Sequence, residues 1–249
     1  MAVKSFKRYE KKYLLTEEQY DNLIPLLLEY MNLDKHCINN SYSIYNIYYD
    51  TKDSSVIRHS ISKPYYKEKL RLRSYTIPKS PNDKVFLELK KKINGIVNKR
   101  RAVITLKEAH NFLEHGIRPK CNDFITEQVI NEIEYYLSHT KVEPMVYIGY
   151  SRIAFFGKED KDFRLTIDSK ILTRRDDLSL QSGYYGTDIL KENQYLMEIK
   201  ILGAIPLWLA DIFSKLKIYN THFSKYGNEY MNFCNKNKNT DKTRREKIC

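Results

Sequence analysis

Cationic side chains occupy every second position in several short segments of this chain. In Lys69–Arg73 (KLRLR) three cations alternate with two leucines, and in Leu87–Lys92 (LELKKK) Glu88, Lys90 and Lys92 share one parity. Successive residues of a β-strand point to opposite faces. Each segment would therefore form a strand with one ionic face and one apolar face. Arginine and lysine pair with phosphate oxygens, so rows of them can hold a phosphorylated ligand.

Three further segments repeat this alternation and add carboxylates to the ionic face. In Arg164–Asp168 (RLTID) and Met197–Ile201 (MEIKI) the charged residues oppose Leu, Ile and Met, and near the N-terminus Arg8, Glu10 and Lys12 share a face. The ordinary explanation is a half-exposed sheet with its charges in water. Like charges on neighbouring strands repel, however, unless an anion compensates them. Five almost purely ionic faces therefore favour a curled sheet whose apolar face lies outward, under helices, and whose ionic face lines a channel.

The composition agrees with an anionic ligand. Lys and Arg number 43 and Asp and Glu 31, and the formal charge of +12 suits nucleic acid, an anionic membrane or a phosphate-rich small molecule. Nucleic acid is disfavoured because proteins that bind single strands place aromatic residues among the cations. The four cysteines form no C-x-x-C pair, and no apolar run is long enough to cross a bilayer. We expect a cytoplasmic protein without a transmembrane segment of its own.

Turn and cap signals divide the chain into strands and helices. Thr16 and Thr105 each have Gln or Glu three residues later, which predicts a capping box, and Asn94-Gly95 predicts a hairpin turn. Strands are expected over residues 6–14, 42–50, 67–75, 85–93, 96–104, 146–156, 164–169 and 195–201. Helices are expected after Thr16, from Thr105 to Gly116, over 123–137, over 206–217 and, as a short last helix, after Ser224.

These elements predict an α+β fold, in which an antiparallel β-barrel or tunnel has a charged interior and helices packed on its outside. The 21 tyrosines favour such a β-rich fold, because tyrosine prefers strands. Residues 1–231 would form this one domain. Residues 232–249 are polar, charged and without periodicity, which predicts a disordered polar tail.

Nine short segments together resemble the polyphosphate polymerase domain of the vacuolar transporter chaperone (VTC) family, within the triphosphate tunnel metalloenzymes. They occur in the family's order and cover nearly all of the chain up to about Met231. The segments are YEKKY (9–13), YYDT (48–51), KLRLR (69–73), LELKKK (87–92), NKRR (98–101), YSR (150–152), RLTID (164–168), MEIK (197–200) and FSKY (223–226).

The resemblance implies a fold, an activity and a set of site residues. Family members move the terminal phosphoryl group of ATP onto a growing polyphosphate with Mn²⁺ or Mg²⁺ and release ADP. Glu198 would be the principal metal ligand, and Tyr150 and Ser224 would contact phosphate or the end of the nucleotide. The phosphates would be held by Lys12, Arg71, Arg73, Lys90, Lys99, Arg152, Arg164 and Lys225. The ionic faces add Lys92 and Lys200 as binding residues and Glu10 and Glu88 as further metal ligands.

The sequence also departs from the wider superfamily. An E-x-E-x-K opening is common there, whereas this chain has Arg8, Glu10 and Lys12 at the same spacing, which removes one potential metal ligand. Lys92 stands where the family often has His. The phosphate-sensing domain and membrane helices of eukaryotic members are missing, so coupling to a membrane would need a separate membrane protein.

Three functions stay open on the sequence. A polymerase would use ATP and polyphosphate and need no general base, because the acceptor oxygen is already ionised. A triphosphatase acting on inorganic triphosphate or an RNA 5′ end would want a carboxylate base, for which Glu10 or Glu88 could serve. A non-catalytic sensor would bind polyphosphate or nucleotide without turnover.

Overall fold

The computed structural model describes residues 9–37, 41–201 and 203–246. Its strands are β1 (Tyr9–Leu15), β2 (Met31–Leu33), β3 (Tyr42–Asp50), β4 (Tyr66–Ser74), β5 (Lys84–Ile93), β6 (Ile96–Thr105), β7 (Glu143–Gly157), β8 (Arg164–Arg174), β9 (Thr187–Asp188), β10 (Tyr195–Ile201) and β11 (Asn220–Thr221). Its helices are α1 (Glu17–Tyr30), α2 (Ser55–Ile61), α3 (Leu106–His115), α4 (Phe124–His139), α5 (Leu207–Lys215) and α6 (Lys225–Glu246).

The helix starts follow the capping signals of the sequence. The Thr16 hydroxyl accepts a hydrogen bond from the backbone N–H of Gln19, whose side chain accepts one from the Thr16 N–H. Thr105 and Glu108 form the same reciprocal pair before α3. Gly116 ends that helix at φ 69°, a left-handed conformation that glycine adopts without a steric penalty. Both capping boxes satisfy backbone donors that would otherwise be unpaired.

All strands belong to one antiparallel sheet in the order β11-β1-β10-β8-β7-β3-β4-β5-β6, with β2 added to β7 and β9 to β8. The barrel form of the expected fold is not observed, because within the described residues backbone hydrogen bonds do not join the end strands β11 and β6. The sheet is nevertheless strongly curved. Glu10 on β1 and Lys90 on β5 lie near opposite ends of the strand order, yet their side chains meet at 3.1 Å.

This curvature places the ionic side chains on the concave face. Residues directly opposite each other on paired strands share a face, and Lys12 is opposite Glu198 while Glu88 lies between Arg71 and Arg101. Several of these side chains are nearly inaccessible: Arg71 is 13% exposed and Glu88 0%. The prediction that the ionic face is enclosed is therefore confirmed.

The convex face is apolar and carries most of the helices. Leu70, Leu72, Leu87 and Leu89 are fully buried in a core that includes residues of α3 and α4. A second core on the same face joins β1, β8 and β10 to α1 and α5. Fully burying a leucine stabilises the fold by about 1.5–3 kcal/mol. The alternating leucines thus pack against α3 and α4, so these two helices lie on the face opposite to the charged side chains.

Two helices depart from this arrangement, and the expectation that all helices pack outside is wrong for them. Ile44, Ile148 and Leu196 share the parity of the ionic residues but are apolar, and they form a third core. Ile57 of α2 and Tyr226 of α6 pack there. These two helices therefore cover one end of the concave face, since only a second apolar surface can remove such residues from water.

Some boundaries differ from the sequence-based expectations. β8 continues to Arg174, beyond the expected end at 169, and the first three residues of the expected N-terminal strand (6–8) lie outside the described residues. α6 extends to Glu246, well into the segment predicted to be a polar tail. That segment contains no proline and many residues that tolerate helix well, such as Lys, Arg and Glu.

Candidate functional site

The concave face holds far more cations than carboxylates. Its carboxylates in the described part of the chain include Glu10, Asp50, Glu88, Asp168 and Glu198. Thirteen cations share this face: Lys12, Lys67, Lys69, Arg71, Arg73, Lys90, Lys92, Lys99, Arg101, Arg152, Arg164, Lys200 and Lys225. The resulting excess of positive charge, in a partly water-excluded cavity, creates a strong attraction for polyanions.

Glu88 is the centre of the densest ion-pair network. Its carboxylate accepts hydrogen bonds from Arg71 at 2.7 Å and from Arg101 at 2.5 Å, and Lys99 lies 2.7 Å away. Arg73 adds a longer contact of 3.8 Å. Burial alone would raise the pKa of Glu88, but these cations outweigh burial and hold the pKa well below its usual range. Glu88 is thus a fixed anion that holds four cations in place.

Asp168 forms a second network on the same concave face, on β8, which is several strands away from the β5 strand of Glu88. Arg152 binds it with two hydrogen bonds of 2.6 and 2.8 Å, and Lys225 reaches it from α6 at 2.5 Å. Asp168 is fully buried, and although burial would raise its pKa, Arg152 and Lys225 lower it. α6 therefore contributes a cation to the sheet as well as covering its end.

Glu198 and Glu10 are paired less completely. Glu198 lies 3.7 Å from both Lys12 and Lys200, distances longer than a good hydrogen bond. Burial would raise the pKa of Glu198, but Lys12 and Lys200 hold it well below the usual range. Among the described residues, Glu10 forms an ion pair with Lys90, which is 35% exposed. These two carboxylates keep oxygens available for another cation.

Several lysines of the concave face have lowered pKa values. The pKa of Lys69 is lowered to about 8, mainly by burial and also by neighbouring Lys67, Lys90 and Lys12, while Tyr48 opposes this shift. Burial also lowers the pKa of Lys99 to about 7, in spite of the opposing attraction of Glu88. Without an anion, the cavity therefore disfavours the charged form of these side chains.

Buried Tyr150 and half-buried Tyr48 connect the arginines across strands. The Tyr48 hydroxyl accepts a hydrogen bond from Arg71 at 2.9 Å, and the Tyr150 hydroxyl accepts one from Arg73 at 3.2 Å. Burial would raise the pKa of Tyr150, but Arg73, Arg152 and Lys225 outweigh it and lower the pKa to about 8. The tyrosines fix the orientation of the guanidinium groups, which matters because an arginine binds phosphate through a planar fork.

Most of the predicted site residues meet on this one face. Arg164 lies at its edge, where the side chain is exposed and stacks over Phe156 at 4.8 Å. Lys92 lies opposite Lys67, near the end covered by α2. Ser224 is different: its hydroxyl accepts a hydrogen bond from the Gly227 N–H at 3.2 Å, so this side chain caps α6. The geometry therefore gives Ser224 a structural role, and its contact with a ligand stays a prediction.

The comparisons with known proteins identify the chain. The model of the VTC domain family matches residues 7–234. The chain belongs to the VTC domain family. No curated protein matches it.

Solved structures with this fold have very different sequences. A "putative adenylate cyclase" from Bacillus halodurans has a TM-score of 0.51 at 16% identity, with 88% of this chain and 95% of that one covered. A "putative adenylyl cyclase" from Hippeastrum, described as having a dominant triphosphatase activity, has a TM-score of 0.52 at 16% identity and covers 88% and 93%. The VTC domain thus shares the tunnel fold of these proteins. None of its described helices is long and apolar enough to span a bilayer.

Sequence reasoning missed several members of the site in this VTC domain. Lys67 has the parity of Lys69 and Arg71, and Arg101 has the parity of Lys99, so the alternation alone could have found them. The sequence places Asp168 on the ionic face, where it could structure a turn, pair with an arginine or bind a metal, and the structure shows it paired with Arg152 and Lys225. Its two partners come from β7 and α6, and only the folded chain brings them together.

The carboxylates of the concave face could hold a divalent metal only together with the oxygens of a bound phosphate chain. No group of three potential ligands among His, Cys, Asp and Glu occurs in the described residues. Glu88 does not fit, because the four surrounding cations occupy its oxygens and would repel a metal. Glu198 and Glu10 are diagonal neighbours on β10 and β1. Mg²⁺ and Mn²⁺ accept one or two carboxylates together with phosphate oxygens, which is the set this pair could supply with a bound triphosphate.

The lowered lysine pKa values predict that polyanion binding takes up protons. Bound phosphates would raise the pKa of Lys69 and Lys99 again, so affinity should fall as the pH rises from about 7 to 9. Calorimetry with long inorganic polyphosphate, whose internal phosphates stay fully ionised, should give a binding enthalpy that depends on the ionisation enthalpy of the buffer. Lys69→Arg, which cannot lose its charge in this range, should reduce the proton uptake. Equal enthalpies in all buffers would contradict this electrostatic description.

Proposed function

We propose that this VTC domain transfers the terminal phosphoryl group of ATP onto the end of a polyphosphate chain. The observation that supports it best is that the buried carboxylates Glu88, Asp168 and Glu198 are paired with cations and have lowered pKa values. They are therefore poor proton acceptors. A phosphate oxygen of the acceptor is already ionised and needs no base, whereas an attacking water would need one.

The chemical step balances without a proton transfer. A terminal oxygen of polyphosphate attacks the γ-phosphorus of ATP, the bond from that phosphorus to the β,γ-bridging oxygen breaks, and ADP leaves with the electron pair. The polymer grows by one phosphate. Catalysis of phosphoryl transfer depends mainly on positioning and charge neutralisation. The enclosed arginines are suited to both, because their hydrogen-bond partners already hold them in fixed orientations.

Each network has a proposed role. Arg71, Arg73 and Lys99, around Glu88, would bind one part of the phosphate chain, and Arg152 and Lys225, around Asp168, would bind another. Lys12, Lys90, Lys92, Arg164, Lys200 and the hydroxyl of Tyr150 would add contacts along its length. A divalent metal, Mn²⁺ or Mg²⁺, would neutralise the transferred phosphoryl group and bind to Glu198, with Glu10 as the second ligand.

A triphosphatase is the second candidate. The similar fold of the Hippeastrum protein, described as having a dominant triphosphatase activity, supports it. Glu10 forms a single ion pair among the described residues, with Lys90, and it would have to serve as the base for water. A non-catalytic sensor of polyphosphate or nucleotide would use the same cations without turnover.

We also propose that the domain acts in the cytoplasm, and that any attachment to a membrane occurs through a separate membrane protein.

Product analysis tests the proposed reaction. The domain incubated with γ-labelled ATP and Mn²⁺ should convert the label into long chains that a gel can size, with ADP as the co-product. Label released as free phosphate would support the triphosphatase, and binding without turnover would support the sensor. Chelation of the metal should abolish chain formation, because the metal neutralises charge on the transferred group.

Two arginines, on β4 and β6, separate the roles of the concave and convex faces. Arg71→Ala removes a cation that binds Glu88 on the concave face, and chain formation should fall by about 100-fold or more while the protein stays folded. The matched control is Arg100→Ala, since Arg100 pairs with Glu132 on the convex face. This variant should retain activity. Similar activity of the two variants in the product assay would argue that the concave face does not bind the phosphates.

Replacement of Glu198 tests the metal assignment. Glu198→Gln keeps the shape of the side chain but removes the charge that a divalent cation requires. Activity should become insensitive to added Mn²⁺, and it should be strongly reduced at every concentration. Glu192→Gln, which changes an exposed carboxylate, is the control. An unchanged Mn²⁺ titration in the Glu198 variant would exclude this residue as a ligand.

A further inference from the structure

Aromatic rings replace the cations at one end of the concave face. The rings of Tyr42 and Tyr75 lie 6.0 Å apart between centroids, and those of Tyr75 and Phe86 lie 5.2 Å apart. Phe86 lies opposite Arg73 and Val103, so it shares the face of the phosphate-binding candidates. All three rings are partly exposed. We call this group of Tyr42, Tyr75 and Phe86 the aromatic platform.

The platform includes a cation in stacking geometry. The Arg101 guanidinium lies 4.5 Å from the centre of the Phe86 ring, and it donates a hydrogen bond of 3.0 Å to the Tyr75 hydroxyl. Val103, next to it on the same face, is 50% exposed. Flat rings and a guanidinium plane are the surfaces on which nucleobases stack, and such stacking requires no base-specific hydrogen bonds.

The platform lies at the end of β4 that is farther from α2. Lys67, near the start of β4, contacts the Ser60 carbonyl of α2 through its amine, whereas Ser74, the last residue of β4, comes just before Tyr75. Tyr42 and Tyr75 border the third core, to which α6 contributes Tyr226. A ligand that enters from the platform end meets the rings first and the dense ion-pair networks afterwards.

The spacing between the platform and the cations suits a nucleotide. Phe86 and Glu88 are two residues apart on one strand face, which corresponds to about 7 Å. Arg71, Lys99 and Arg101 surround Glu88. A ribose joins a base to its phosphates over a comparable length. A base on Phe86 and Tyr75 would thus direct its triphosphate into the cavity.

We infer that the aromatic platform binds the base of the nucleoside triphosphate donor and distinguishes that donor from inorganic triphosphate. This inference rests on the proposed use of a nucleotide donor. The platform offers ring faces and a guanidinium, so it discriminates weakly among bases, and purines, with the larger ring surface, bind better than pyrimidines.

Binding measurements with two ligands test this subsite. Phe86→Leu keeps an apolar side chain and removes the ring face, so the Kd for ATP should rise by about tenfold. The Kd for inorganic tripolyphosphate, which has no base, should not change. A triphosphate of 2-aminopurine riboside should lose fluorescence on binding to the unaltered protein and less on binding to the variant. Tyr65→Leu, at the opposite end of β4 and 71% exposed, is the control and should change neither affinity.

The possible results are distinct. Equal weakening of ATP and tripolyphosphate would mean that Phe86 only supports Arg101, and it would overturn the subsite, as would no change for either ligand. Tyr75→Leu gives the same comparison if the first variant does not fold. Unaltered protein that quenches the fluorescent nucleotide but makes no polyphosphate would remove the proposed reaction and leave the subsite. Protein that makes polyphosphate without such quenching would remove the subsite alone.

Discussion

Repulsion among the enclosed cations is the constraint on which this structure depends. A curved sheet with thirteen cations on its concave face would open unless something compensated their charge. Glu88 and Asp168 supply part of that compensation, because each is buried and bound by several cations. They are too few to neutralise the face. Burial, with a smaller contribution from the neighbouring cations, lowers the pKa of Lys69 and Lys99, and the uncompensated charge attracts a polyanion.

The same ion pairs shape the chemistry that the cavity can perform. A carboxylate bound by three or four cations compensates their charge when no polyanion is bound. The same contacts make that carboxylate a weak base and a poor metal ligand. This distinguishes Glu88 from Glu198, whose nearest cations are 3.7 Å away. The sheet thus combines a rigid array of phosphate-binding groups with one loosely paired acidic position. Such an array suits an ionised nucleophile better than water.

The cavity also has two different ends. Apolar residues on the concave parity recruit α2 and α6, and Lys225 of α6 inserts between Asp168 and the ring of Tyr150. The other end carries the aromatic platform, whose rings are partly exposed. This difference gives the cavity a direction: a base would stay near the rings while its phosphates extend toward the helices.

The sequence by itself determined the elements and the faces of the strands. Strict alternation, as in Lys69–Arg73, and local caps, such as Thr105 with Glu108, depend only on neighbours in the chain, and the structure bears both out. The tertiary structure alone decided that the sheet stays open, that Glu88 is enclosed by cations and that Ser224 caps a helix. These outcomes depend on contacts between distant residues, such as Arg71 with Glu88 and Asp168 with Lys225, whose geometry arises only when strand register and curvature are set.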